Sequence, residues 1–196
     1  AFHGNLKVMI PMGTAPEEIT RTAALFADCL ATLHRAGTPA KLPPLGIMVE
    51  VPAVAGAPPL FGGRRFFSVR SHQLTQNITP SPPGGAPVEI TRAVAPELFG
   101  EAHFFSIGSN DLTQYVTASS RDDARVAALN DPSHPAVLRL IGSVARHGRE
   151  TGTPVSLCGD MASDPRHIPA LLDAGLTSLS VAPSRIARVK AAIAEH

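Results

Sequence analysis

The chain alternates short runs rich in aliphatic residues with longer amphipathic runs, and this alternation constrains the fold more than any other feature. Such a pattern is typical of βα units, in which successive strands are parallel. The predicted strands span residues 6–11, 45–51, 103–109, 153–160 and 178–183. Because parallel strands end at the same edge of a sheet, the residues that close these runs are expected to share one rim.

Helices are predicted between the strands and after the last one. The first has Thr14 and Glu17 at the spacing of a capping box and extends to about Arg35. Two more helices are predicted over about 135–150 and 165–174. A closing helix is predicted after the last strand, with Pro183 near its first turn.

Composition narrows the class of protein. With 196 residues, 44% of them hydrophobic, the chain is large enough for one globular domain with a real core. The net charge is +1 and the basic residues are dispersed, so neither nucleic acid nor a membrane surface is an expected partner. The sequence shows no membrane-spanning run, no signal peptide and only two cysteines, which predicts a cytoplasmic protein with free thiols.

Residues 52–87 interrupt the alternation. Their clustered Pro and Gly residues argue against a regular helix or a central strand. A loop of this length is unusual inside a compact domain, which indicates that sequence has been inserted. We therefore interpret residues 1–196 as one domain with a loop-like insertion at about 52–87.

An internal repeat explains the insertion. "LFGGRRFFSVRSHQLTQ" at 60–76 and "LFGEAHFFSIGSNDLTQ" at 98–114 are identical at ten of seventeen positions. The second copy has a carboxylate at Asp111, whereas the first has Gln73 there. We interpret the repeat as a tandem duplication in which the second copy forms the working βα unit.

Chemically active side chains follow or close several of the predicted strands. They are Glu50, Asn110 with Asp111, and Cys158. Two carboxylates on adjacent strands suit Mg²⁺, which takes one or two protein carboxylates and completes its shell with water and substrate oxygens. The turn "SIGSND" offers backbone N–H groups to an anion, and Arg121 offers a guanidinium for a carboxylate or phosphate.

Each of these residues also has a purely structural interpretation. Glu50 would pair with a lysine, Asp111 would cap the helix that follows, Cys158 would pack as a small hydrophobe, and Arg121 would be solvated. The convergence of four separate strand ends or loops on one rim favours a functional site over four unrelated features.

Four motifs together carry a resemblance to a known family: "GIMVEVPA", "FFSIGSNDLTQYVTASSRD", "HPAVLRLI" and "VSLCGDMASDP". They resemble the C-terminal phosphoenolpyruvate-binding domain of Enzyme I of the bacterial sugar phosphotransferase system. The resemblance covers most of the chain outside 52–87 and implies an α/β fold, a partial (β/α)8 TIM barrel with roughly its last five βα units. Pyruvate phosphate dikinase and phosphoenolpyruvate synthase are similar more weakly, and "SVAPSRIARVK" favours the Enzyme I branch.

The resemblance implies a role for each candidate residue. Glu50 and Asp111 would be magnesium ligands, and Asn110 and Arg121 would hold the substrate phosphate. Gly108 and Asp111 would also line the substrate site, and Cys158 would deliver a proton to the enolate carbon as pyruvate forms. The implied reaction is magnesium-dependent phosphoryl transfer from phosphoenolpyruvate to a protein histidine.

The chain departs from the family pattern in several ways. The front of the barrel and the domain with the acceptor histidine are missing, so this chain alone is expected not to turn over. The phosphocarrier protein HPr would act through that missing N-terminal domain, and the resemblance implies a homodimer. Asp160 stands where the family usually has Glu, and the first copy of the repeat has Arg70 and His72 where the second has Gly108 and Asn110.

Three alternatives remain open at this point. The chain would be a non-catalytic phosphoenolpyruvate-binding or regulatory module, a fragment of a dikinase or of phosphoenolpyruvate synthase, or a degenerate product of the duplication.

Overall fold

A four-stranded parallel sheet organises the fold. The computed structural model describes residues 5–56 and 102–196, and within them the strand order is β1-β2-β3-β4. In chain order the strands are Val8–Ile10, Leu45–Val49, Phe105–Gly108 and Val155–Cys158. All three pairings are parallel, which confirms the predicted α/β class.

Helices connect the strands and cover the sheet. In chain order α1 to α7 are Pro16–Arg35, Pro52–Gly56, Ser109–Thr117, Pro135–Thr151, Asp160–Ser163, Ile168–Asp173 and Ile186–Glu195. Short 3₁₀ turns lie at Ala127–Leu129, Pro165–His167 and Pro183–Arg185. None of the described helices combines the length and hydrophobicity needed to span a bilayer.

The core lies between the sheet and its helices. The central strands β2 and β3 are almost fully buried, as expected for a parallel sheet covered by helices. Helix α4 contributes one buried face, with Val137, Ile141 and Val144 fully inaccessible to solvent. This helix has Pro135 at its first position and Gly152 in the left-handed conformation just after its end, so its predicted bounds are correct to within a residue.

The start of α1 differs from the prediction. The N-cap is Ala15, and the side chain of Glu18 accepts hydrogen bonds from the backbone N–H groups of Thr14 and Ala15, at 2.7 and 3.0 Å. The predicted pairing of Thr14 with Glu17 is therefore wrong. Pro16 fixes the first helical position, which makes Glu18 the residue that reaches back to the cap.

Two other predicted elements also change. The first five residues assigned to the loop-like insertion form α2, which buries Val54 and Ala55; Pro52 at its first position favours helix rather than opposing it. The fifth predicted strand is reduced to one parallel bridge between Leu157 and Leu179, and a 3₁₀ turn begins at Pro183, where the predicted strand would end.

The repeat is only partly visible. β3 and α3 are formed by its second copy, as predicted. The first copy and the rest of the predicted insertion lie outside the described residues.

Candidate active site

The ends of three neighbouring strands form one rim. β2 is followed directly by Glu50, β3 ends at Gly108, and β4 ends at Cys158. The register places Val49 beside Ile107 and Gly108 beside Cys158, so these ends are level with one another. The shared rim predicted from the sequence is therefore present.

Glu50 is a buried carboxylate at this rim. Only 3% of the residue is exposed, and its Oε1 accepts a 2.7 Å hydrogen bond from the backbone N–H of Met12. Met12 follows β1 and has a φ of 53°, an uncommon conformation for a side chain other than glycine. The Met12 backbone therefore helps to fix the Glu50 carboxylate from just beyond the end of β1.

Burial raises the pKa of the Glu50 carboxyl above its ordinary value, the Met12 N–H partly offsets that rise, and the nearby Asp111 carboxylate adds to it. The two carboxylates are thus close enough to oppose each other's charge. A cation between them would offset both the cost of burying the Glu50 charge and the repulsion between the two carboxylates.

Asp111 lies in the first turn of α3, the helix that begins directly after β3. Its Oδ1 accepts a 3.2 Å hydrogen bond from the side-chain amide of Gln114. The N-cap of α3 is Gly108, so the alternative in which Asp111 caps the helix is wrong. The place of Asp111 in the first turn of α3 is one where the helix dipole favours negative charge.

The donor set fits a hard cation that takes few protein ligands. Glu50 and Asp111 supply oxygen atoms, and among the described residues no group of three or more His, Cys, Asp or Glu side chains forms a larger metal cluster. Magnesium commonly keeps several waters and substrate oxygens beside one or two carboxylates. The pair therefore suits Mg²⁺ better than a zinc-type site with four protein ligands.

Gly108 is required by the position of Glu50. A Cβ atom at Gly108 would lie 2.7 Å from Glu50 Oε2 and 2.9 Å from Glu50 Cβ. Both distances are too short, so any side chain here would displace the buried carboxylate. The sequence indicated a different reason for this glycine, close approach of the backbone to phosphate, and that reason stays a prediction.

Asn110 and Arg121 meet at the carboxylate of Asp160, just beyond the end of β4. Asn110 Nδ2 and Arg121 Nη1 both donate to Asp160 Oδ2, at 3.2 and 3.3 Å. The backbone N–H of Asp160 donates to Asn110 Oδ1 at 3.0 Å. The structure thus brings together two of the predicted phosphate-binding residues.

Cys158 is half-buried and hydrogen-bonded. The Ser106 hydroxyl donates to its Sγ at 3.8 Å, and the thiol donates to the carbonyl of Ile107 at 3.5 Å. The Ser109 hydroxyl donates to the Cys158 carbonyl at 2.8 Å. These contacts fix the thiol at the rim, which the interpretation as a small packed hydrophobe does not require.

Sequence reasoning did not assign a site role to Met12, Ser109 or Asp160. Ser109 belongs to the "SIGSND" motif and Asp160 directly follows the Cys-Gly pair, so their places in the motifs were the available signals. No sequence pattern marks Met12, because its backbone rather than its side chain contacts Glu50.

The family profile described as "PEP-utilising enzyme, PEP-binding domain" matches residues 1–81 and 77–196. The two matched stretches together include the whole chain. The first copy of the repeat lies in the first stretch, and the second copy lies in the second.

Curated relatives match along almost the whole chain. Phosphoenolpyruvate-protein phosphotransferase of Cupriavidus necator is 39% identical over 95% of this chain and 26% of its own length. The protein of the same name from Haloferax volcanii is 33% identical over 97% of this chain and 27% of its own length. The chain therefore spans about a quarter of the length of these relatives.

A solved structure shows the same kind of fold. A citrate lyase from Burkholderia xenovorans superposes with a TM-score of 0.51 at 18% sequence identity, over 97% of this chain and 49% of that one. At this identity the similarity concerns the fold alone. It is consistent with a partial barrel of the TIM type.

Proposed function

Because this chain belongs to the PEP-utilising enzyme family and matches its PEP-binding domain throughout, we propose that it binds phosphoenolpyruvate with Mg²⁺ for phosphoryl transfer to a protein histidine. The observation that carries the proposal is the convergence of Glu50, Asp111 and Cys158 on one rim, with Asn110 and Arg121 held beside them. Phosphoryl transfer needs an electrostatic clamp for phosphate and a donor for the enolate carbon, and this rim contains groups suited to both tasks.

The carboxylates of Glu50 and Asp111 would hold the cation. When bound, Mg²⁺ would supply positive charge to the phosphate and to the developing enolate oxygen. The guanidinium of Arg121 and the side-chain amide of Asn110 would bind phosphate oxygens and orient the phosphorus for in-line attack.

Cys158 would complete the reaction. When the bond between phosphorus and the bridging oxygen breaks, its electrons remain on that oxygen and form the enolate of pyruvate. The enolate carbon then takes the proton of the thiol, which the Ser106 hydroxyl and the Ile107 carbonyl hold at the rim. The phosphoryl group would pass to a protein histidine, and HPr, which the family resemblance implies as a partner, would be the next acceptor.

This assignment predicts selective protection of one thiol. We expect phosphoenolpyruvate with Mg²⁺ to slow iodoacetamide alkylation of Cys158 about tenfold or more, because a ligand that accepts its proton must cover it; tenfold corresponds to occupancy of about 90%. Cys29 lies exposed on α1 and is an internal control in the same molecule.

Peptide mass spectrometry over a time course measures both thiols together. Protection of Cys158 that disappears on chelation of the metal, with an unchanged rate at Cys29, supports the proposal. Equal rates at Cys158 with and without both ligands would contradict it.

A further inference from the structure

Asp160 contacts both side chains of the proposed phosphate site, Asn110 in the first turn of α3 and Arg121 in the turn that follows this helix. It lies directly after the Cys158-Gly159 pair, and its carboxylate accepts hydrogen bonds from both Asn110 and Arg121. Its own backbone N–H bonds to Asn110 Oδ1. Asn110 and Asp160 therefore hold each other through two reciprocal hydrogen bonds.

Gly159 permits this close approach. It has a φ of 103°, which other residues rarely adopt, and a Cβ atom there would collide with Ser109 Oγ and lie 2.8 Å from Asn110 Oδ1. The Ser109 hydroxyl also bonds to the Cys158 carbonyl. The segment after β4 is thus fixed against the first turn of α3, which places Asp160 beside Asn110.

The reciprocal bonds determine the orientation of the Asn110 amide. With Oδ1 accepting from the Asp160 N–H, Nδ2 must lie on the side of the Asp160 carboxylate. The amide group carries two N–H donors, and one of them meets Asp160. The other is left to meet a ligand oxygen.

Arg121 is held in a similar way. Its guanidinium contacts Asp160 through Nη1 alone, and no other hydrogen bond of this group is formed within residues 5–56 and 102–196. A guanidinium has five N–H donors in a planar fork. Asp160 therefore orients Arg121 and leaves most of its donors for an anion, so that it does not take the anion's place.

We infer that Asp160 is a positioning residue that orients Asn110 and Arg121 for the phosphate of the substrate. The inference rests on the proposed function for the identity of the ligand, but the orientation of the two side chains is measurable without it. Arg121 and Asp160 are 54% and 86% exposed at their side chains, so their ion pair adds little to folding, and variants at Asp160 are expected to fold.

The test compares Asp160→Ala with Asp160→Glu, which keeps the carboxylate. Asp173→Ala is the control, because Asp173 is another exposed carboxylate with a basic partner, the imidazole of His196, away from the rim. Side-chain ¹H–¹⁵N NMR of Asn110 and Arg121 measures orientation directly, and calorimetry measures phosphoenolpyruvate affinity in the presence of Mg²⁺. Mn²⁺ binding alone reports on Glu50 and Asp111.

Asp160→Ala is expected to shift the Asn110 amide resonances and to average the Arg121 guanidinium signals by faster rotation. Phosphoenolpyruvate affinity should fall about tenfold, because the loss of Asp160 leaves Asn110 and Arg121 without the partner that orients them, and one charge-assisted hydrogen bond has an effect of this size. Asp160→Glu should restore the signals and most of the affinity, while Mn²⁺ affinity stays unchanged in both variants.

Unchanged Asn110 and Arg121 signals in Asp160→Ala, or no recovery in Asp160→Glu, would overturn the inference. If the Asn110 and Arg121 signals change as expected in the variants but the parent chain does not bind phosphoenolpyruvate, only the proposed function is overturned. The two failures are therefore distinguishable within one set of samples.

Discussion

Asp111→Asn is expected to weaken Mn²⁺ binding by at least about 100-fold, since mutation of groups that only support a ligand already costs 10–100-fold. Asparagine keeps the shape of the side chain and an oxygen that can accept from Gln114, but it removes the negative charge. Glu50 would then be the single carboxylate left at the cation position, and it is buried. The loss should therefore appear in metal affinity and not in folding.

Electron paramagnetic resonance of free Mn²⁺ during a titration gives the affinity, and circular dichroism checks the fold. Asp28→Asn, the same change at an exposed position of α1, is the matched control and should bind the ion like the parent chain. Equal affinities in Asp111→Asn and Asp28→Asn would show that the carboxylate pair is not the metal site.

Gly108→Ala is expected to destabilise the protein by roughly 1 to 3 kcal/mol, the usual cost of inserting a methyl group into a packed site. The backbone of Gly108 has a φ of −87°, which alanine adopts without strain, so the effect is steric. The added methyl would meet Glu50 Oε2 and Cβ, and neither can move away easily because Met12 holds the carboxylate and the residue is buried. A weakened metal site should accompany the loss of stability.

Gly142→Ala provides a control of opposite sign. Gly142 lies within α4, and a Cβ there would have no neighbour closer than 3.9 Å. Alanine in a helix interior is favoured over glycine by roughly 0.5 to 1 kcal/mol, so this variant should be more stable than the parent. Thermal unfolding measures the stability of both variants. A Gly108→Ala variant as stable as Gly142→Ala would mean that Gly108 is not in contact with Glu50.

The sequence allowed the main architecture to be predicted because the fold is dominated by apolar strand runs. The parallel order, the rim, and the positions of Glu50, Gly108 and Cys158 at strand ends follow from where the buried runs stop. Helix α4 was predicted closely because Pro135 and Gly152 give it clear start and stop signals.

Other features depend on contacts that no local pattern reveals. Met12 supports Glu50 through its backbone across 38 positions of sequence, so its residue type carries no information about that role. Asp160 appeared in the sequence only as a departure from the family pattern. Its two partners, Asn110 in α3 and Arg121 in the turn after that helix, are brought to it by tertiary packing. Such tertiary contacts decide which polar residues belong to the site.

The reason for Gly108 also gives the repeat a physical meaning. In the alignment of the two copies, Arg70 corresponds to Gly108. Because even a methyl group at Gly108 would press on Glu50, an arginine at that point of β3 is incompatible with the buried carboxylate. The second copy is thus the one whose sequence fits beside β2, in agreement with the choice made from the carboxylate at Asp111.

The central claim is that this chain binds phosphoenolpyruvate through a magnesium site at the rim. Isothermal titration calorimetry of the chain with phosphoenolpyruvate, with Mg²⁺ and then with chelator, tests it most directly. We expect saturable binding at one site that is lost when Mg²⁺ is removed. Binding of equal strength without Mg²⁺, or no binding in its presence by a chain that is folded, would contradict a magnesium-dependent phosphoenolpyruvate site at the rim.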